Sequence, residues 1–140
     1  DWFKPEYDDS KWNSGRAPVG TALYNGNAPK FANQSDWGKG EFIVMRTSFE
    51  LDALDFDSYR MSVLTPQGFK VYLNGHEIAD YGWWFDSQFY SPWEMDIKGK
   101  LKQGTNVLAV YGNAEYDQKT KELFGQMDCL IEGLKLSDLE

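Results

Sequence analysis

Phe69-Lys70-Val71-Tyr72-Leu73-Asn74-Gly75-His76-Glu77-Ile78-Ala79 is the stretch whose reading decides the fold class. Phe69, Val71 and Leu73 alternate with polar or amphipathic neighbours, the period of a half-buried strand. Asn74-Gly75 follows at once. A two-residue type I′ turn needs φ > 0 at both central positions, and Asn-Gly meets that need better than almost any other pair. His76 to Ala79 is then the return strand, and the whole is an antiparallel hairpin.

Strand signals continue on both sides of it. In Glu41 to Leu51, Ile43, Met45, Thr47, Phe49 and Leu51 share one face. Tyr59 to Leu64 places Tyr59, Met61 and Val63 together, and Thr65-Pro66-Gln67-Gly68 is a tight connection into the hairpin. Trp93, Met95 and Ile97 alternate again. Lys102-Gln103-Gly104-Thr105 is a turn, Asn106 to Tyr111 an apolar strand, and Gln126 to Leu136 the last strand. No segment of helical length keeps apolar groups at i, i+3, i+4, i+7. The first forty residues are rich in Gly, Asn, Pro and Asp. They are expected to wrap the rest as an extended segment with short strands, held by buried Trp2, Trp12 and Trp37. Short strands separated by turns, without helices, predict an all-β fold: a β-sandwich, with a jelly roll as one such arrangement.

The chain has 140 residues, a length expected for a single domain spanning 1–140 with a core that needs no disulfide. Cys129 is the only cysteine, so no intrachain disulfide can form. Net charge is −8, which argues against nucleic acid and against anionic membrane surfaces as partners and is compatible with a neutral polar ligand. No apolar run is long enough to span a bilayer as a helix. The first residue is Asp1 rather than Met, and the chain is expected to be a piece of a longer multidomain protein.

Seven aromatics fall between Tyr81 and Trp93: Tyr81, Trp83, Trp84, Phe85, Phe89, Tyr90 and Trp93. Phe89, Tyr90 and Trp93 lead into a strand and are assigned to packing. Trp83 and Trp84 are adjacent, so in extended chain they point to opposite sides and at most one enters the core. An exposed tryptophan marks a ligand site or a domain interface. Aromatic faces stack on the C–H side of a pyranose, while carboxylates and amides bond its hydroxyls. Trp83, Trp84, Phe85, Asp86 and Tyr116 are therefore the candidate ligand-binding residues, with Gln88, Asn113 and Glu115 as further polar partners.

Other constellations are weaker. Glu94 and Asp96 share a strand face about 7 Å apart, within the broad range of inverting glycosidases, but such a pair is commonplace on an outer face. Asp52, Asp55 and Asp57 lack calcium-loop spacing and are expected in a polar turn, although calcium held by backbone carbonyls would leave no mark in a sequence. His76 is the only histidine and follows a turn, so neither a zinc site nor a Ser-His-Asp triad is supported. Cys129 is expected to be a buried, inert thiol. No catalytic residue is assigned, and no cofactor is expected.

Four motifs, in order, resemble a known family. Tyr7-Asp8-Asp9-Ser10-Lys11-Trp12 followed by Ala17-Pro18-Val19-Gly20 is similar to the opening of galactose-binding-like jelly-roll domains. Arg46-Thr47-Ser48-Phe49-Glu50-Leu51 resembles their arginine-containing strand, Val71-Tyr72-Leu73-Asn74-Gly75 their hairpin, and Leu101 to Val110 their "L-K-x-G-x-N-V-L-A-V" block. The resemblance covers about residues 2 to 134. It is to domains attached to glycoside hydrolases, including the sugar-binding domain of the β-galactosidase and β-glucuronidase family.

What the resemblance implies is a non-catalytic accessory domain of a secreted, periplasmic or cell-surface carbohydrate-active enzyme. Its partners would be a carbohydrate, bound weakly, and the catalytic domain of the same polypeptide. A purely structural domain that braces the catalytic domain is the alternative, and a stand-alone glycosidase a more remote one. The residues from Gly82 to Gln88 and the polar loop from Glu115 to Glu122 do not match the family pattern.

Overall fold

The computed structural model describes residues 1–21, 33–38, 40–65, 68–82, 91–94, 97–118, 121–135 and 137. Eleven strands follow one another among them: β1 (Val19–Gly20), β2 (Ser35–Asp36), β3 (Phe42–Leu51), β4 (Ser58–Leu64), β5 (Phe69–Leu73), β6 (His76–Tyr81), β7 (Ser91–Glu94), β8 (Gly104–Asn113), β9 (Glu115–Asp117), β10 (Glu122–Phe124) and β11 (Gln126–Leu134). The helical content of the described residues is one 3-10 turn, Lys98–Lys100.

Two sheets form a sandwich. One has the order β2-β1-β11-β4-β7 and the other β3-β8-β5-β6; β9 and β10 make a separate two-stranded ribbon. The pairings are antiparallel except β1 with β2. From β3 onward the chain alternates between the layers. β4 lies in the first sheet, β5 and β6 in the second, β7 in the first, β8 in the second and β11 in the first. That crossing pattern is the jelly-roll arrangement of an all-β sandwich.

The core lies between the layers. Tyr59, Met61 and Val63 of β4 meet Phe69, Val71 and Leu73 of β5, with Leu108 and Val110 of β8 and Met127 of β11. Ile43, Met45, Phe49 and Leu51 of β3 pack against this cluster, as the alternation predicts. Thr47, on the same face, stays exposed because β3 is an edge strand.

Asn74 and Gly75 have φ of 52° and 83°, so both central positions are left-handed and the turn is the expected I′ type. Leu73 pairs with His76 across it. A register shift between Val71 and Tyr72 adds a bulge and carries β6 on to Tyr81, two residues past the predicted end. Gly104, at φ 96°, opens β8 in a conformation that a Cβ would strain.

Asn106 is fully buried and ties the two turns together. Its Nδ2 donates to the carbonyls of Lys102 (2.8 Å) and Gly104 (3.2 Å), and its Oδ1 accepts from Lys102 N (3.0 Å) and Asn74 Nδ2 (2.8 Å). Asn74 Oδ1 accepts from Val107 N at 2.9 Å. The asparagines of the two motifs thus serve the fold, satisfying buried backbone groups that would otherwise be costly to desolvate.

Two expectations need correction. The stretch from Glu115 to Glu122 is not a plain loop: Glu115–Asp117 and Glu122–Phe124 pair as a hairpin, with Lys121 at φ 61° beside its turn. Of the three N-terminal tryptophans only Trp37 is buried; Trp2 and Trp12 are half-buried. Trp37 is held from several sides. Its Nε1 donates to Gly40 O at 3.0 Å, and its ring lies where a Cβ on Gly125 would meet it at 3.1 Å.

Candidate functional site

The N-terminal segment borders a concave surface on the described residues. Residues 1–16 form a succession of turns over the outer face of the β3-β8-β5-β6 sheet. Arg46, on the outward face of β3, holds them there, and its side chain is only 4% exposed. Nε donates to Asp9 Oδ2 (2.9 Å). Nη1 donates to the carbonyls of Trp2 (2.6 Å) and Lys4 (2.8 Å), and Nη2 to those of Pro5 (3.5 Å) and Tyr7 (3.3 Å). All five guanidinium N–H groups are engaged, and the Tyr7 ring centroid lies 5.4 Å from the Arg46 Cζ. Nearby, Trp2 and Phe3 pack on Tyr72 of β5, with the Phe3 and Tyr72 rings stacked at 4.2 Å. Hydrogen bonds from Ser10 hold the Asp8 carboxyl below its ordinary pKa and shape the next turn.

This clamp leaves a cleft of about 790 Å³ between the segment, the edge of β3 and the β2-β1-β11 end of the other sheet. Val19, Ile43, Met45, Leu108 and Val110 supply apolar lining, and Trp12 and Trp37 aromatic lining. Asp9, Asn13, Ser14, Asp36 and Asp128 supply polar groups. Pockets of this size and mixed character are typical of small-ligand sites. A second hollow of about 400 Å³ continues along the same side, lined mainly by apolar groups including Phe49, Phe56, Leu108 and Ile131. Thr47, Leu108 and Cys129 border both. Cys129 is half-buried rather than buried, and desolvation, with the Asp128 carboxylate second, pushes its thiol pKa well up.

Of the residues named from the sequence, Trp83, Trp84, Phe85 and Asp86 lie outside the described residues, as do Gln88, Phe89, Tyr90 and Asp96. Trp93 and Glu94 are on β7, where Glu94 faces Met61 in register. Tyr116 is on β9 and is 46% exposed. Asn113 ends β8, and its Oδ1 accepts from the Tyr111 hydroxyl at 2.7 Å. Asp52, Asp55 and Asp57 fall in the exposed connection between β3 and β4, as expected of a polar turn. No group of three or more His, Cys, Asp or Glu among the described residues is placed to hold a metal ion. His76 is exposed at the start of β6.

Sequence reasoning passed over two features. One is the cleft itself, whose walls come from segments more than a hundred residues apart. The other is Phe42, 57% exposed and stacked on Tyr111 at 5.5 Å across the β3–β8 pair. The alternation that turns Ile43 inward also turns Phe42 outward, so the signal was present.

No family model matches the sequence, and no curated protein matches it. The structure is similar to part of a β-glycosidase from Bacteroides vulgatus, with a TM-score of 0.54 and 15% identity over 94% of this chain and 18% of that one. It is similar to part of a glycosyl hydrolase family 2 member from Bacteroides cellulosilyticus, with a TM-score of 0.51 and 16% identity over 92% of this chain and 18% of that one. An α-L-rhamnosidase from Aspergillus terreus gives a TM-score of 0.52 and 19% identity over 71% of this chain and 13% of that one. At these identities the likeness is one of fold. The chain spans less than a fifth of the length of each of these proteins.

Proposed function

We propose that this chain is a non-catalytic accessory domain of a glycoside hydrolase and that it binds carbohydrate weakly through exposed aromatic side chains. The observation that carries this reading is one of proportion. Nearly the whole chain, 94% and 92%, superposes on only 18% of two glycoside-cleaving proteins, the share expected of an appended domain. The rest of the parent polypeptide would supply the catalytic domain. A secreted, periplasmic or cell-surface setting goes with this role.

The sugar-contacting residues in this reading are Trp83, Trp84, Phe85, Asp86 and Tyr116. Tyr116 offers an exposed ring on a short hairpin, and aromatic contacts of this kind contribute about 0.5–1.5 kcal/mol beyond area burial. Calorimetric titration and a glycan array test it, on the wild type and on Trp83→Ala, Trp84→Ala and Tyr116→Ala. Binding in the millimolar range that weakens in these variants is expected. Absence of any sugar binding at that concentration sinks the binding half of the reading.

A second reading, a domain that only braces its catalytic neighbour, draws on the exposed Phe42–Tyr111 stack. It predicts that adding the rest of the polypeptide protects Phe42 from solvent without any sugar present.

A further inference from the structure

Asn74-Gly75, the pair that turns the β5–β6 hairpin, is also a reactive dipeptide. In an open chain the Gly75 nitrogen, with no side chain beside it, can attack the Asn74 side-chain carbonyl carbon. A bond forms between Gly75 N and Asn74 Cγ, and the Cγ–Nδ2 bond breaks. Nδ2 leaves as ammonia, taking the proton that Gly75 N gives up. Water then opens the cyclic imide at one carbonyl or the other. The product is aspartate, or its isomer in which the backbone runs through the side chain. Solvent water is the only co-reactant.

In the fold the Asn74 carboxamide is held at three points: Nδ2 donates to Lys100 O (2.9 Å) and Asn106 Oδ1 (2.8 Å), and Oδ1 accepts from Val107 N (2.9 Å). The Val107 N–H polarises the carbonyl, which by itself favours attack. Attack still requires the carboxamide to swing onto Gly75 N and Nδ2 to depart, and both break the bonds that Nδ2 donates. The backbone is pinned as well. Asn74 N donates to Val107 O at 2.8 Å, and Pro5 lies against Gly75, where an added Cβ would meet its Cδ at 3.2 Å. Asn74 and Gly75 are both half-buried.

The products do not fit back. Aspartate puts an acceptor where Nδ2 stood, 2.8 Å from Asn106 Oδ1 and 2.9 Å from Lys100 O. Asn106 cannot turn its amide to donate. Its Nδ2 is held by the carbonyls of Lys102 and Gly104, and its Oδ1 by Lys102 N. The isomer adds a backbone carbon to a turn whose geometry depends on φ of 52° and 83° at its two central residues.

We propose that Asn74 is a modification site guarded by the fold: its amide is hydrolysed through the cyclic imide when the hairpin opens, and the closed hairpin rejects the resulting carboxylate. The pair is a one-way chemical marker of opening.

The test incubates the whole chain in mildly alkaline buffer, folded and in guanidinium chloride, and follows conversion by peptide mapping with mass spectrometry. Mapping separates Asn74-Gly75 from the chain's other Asn-Gly pair, Asn25-Gly26, which lies outside the described residues. Conversion at Asn74 is expected to be about tenfold or more slower in the folded chain, since it must wait for local opening. Equal rates in the two states overturn the proposal, and this arm needs no variant. The second arm measures the urea midpoint of Asn74→Asp against wild type and against Asn74→Gly, which keeps φ > 0 and removes the same bonds without a charge. The fold disfavours the ionised carboxyl, so its pKa is raised on folding. The deficit of Asn74→Asp against Asn74→Gly is therefore largest at neutral pH and shrinks as pH falls toward about 4, where a protonated carboxyl can donate to Asn106 Oδ1 or Lys100 O. If Asn74→Asp is unfolded at neutral pH, folding on acidification is the same readout. A midpoint equal to wild type at neutral pH, or a deficit against Asn74→Gly that does not change with pH, overturns the proposal.

Discussion

Arg46 decides whether the first sixteen residues belong to the fold. Its five donors reach one carboxylate and four backbone carbonyls of a segment with no regular structure of its own. Arg46→Ala is expected to cost about 2–4 kcal/mol, the range for losing several charge-assisted hydrogen bonds and leaving their acceptors unpaired. Urea unfolding measures it, with limited proteolysis near residues 1–16 as a local readout. Lysine should not rescue, because a single ammonium cannot serve five separated acceptors. Cys129 makes a pH prediction at the same scale. Its thiol pKa is raised in the fold, so above the unfolded value, near 8.5, the unfolded chain loses a proton that the folded one keeps. The contribution is present in full below that pH, and stability falls as pH rises through it, by at most about 1.4 kcal/mol per unit. Comparing urea midpoints of wild type and Cys129→Ala from pH 7 to about 10 should show the steeper decline in the wild type. Equal slopes would contradict the assignment.

At the scale of elements, the packing of Trp37 links the short β1–β2 region to the main sandwich. Its ring approaches Gly112 of β8 and the Gly125 that precedes β11, where added Cβ atoms would meet it at 3.4 and 3.1 Å. Gly125→Ala is therefore expected to destabilise by about 1–3 kcal/mol, the usual cost of overfilling a packed site. The midpoint of thermal unfolding followed by tryptophan fluorescence checks it. An unchanged midpoint would mean that the ring shifts freely and does not anchor the segment.

The strands themselves were readable from local pattern. Alternation placed β3, β4 and β5, an apolar run placed β8, and Asn74-Gly75 named the turn type. The β9–β10 hairpin was not readable, because Glu115 to Glu122 is polar throughout and offers no apolar period. Nor was Arg46 readable as a clamp, since its partners lie 37 to 44 residues away in a stretch without pattern. The same distance effect hid the cleft: a site assembled from the chain's two ends and its middle leaves no contiguous motif.

For the whole molecule, the proposed accessory role draws on a fold that occupies a small share of much longer glycoside-cleaving chains. The described residues show a sandwich whose motif residues, Asn74, Asn106 and Arg46, are committed to holding the architecture. The most direct measurement is the sequence of the full natural polypeptide, with its intact mass, read outward from Asp1 and Glu140. The account predicts a contiguous catalytic glycoside hydrolase domain on at least one side. A mature polypeptide consisting of these residues alone, or one joined only to domains without carbohydrate chemistry, would contradict it.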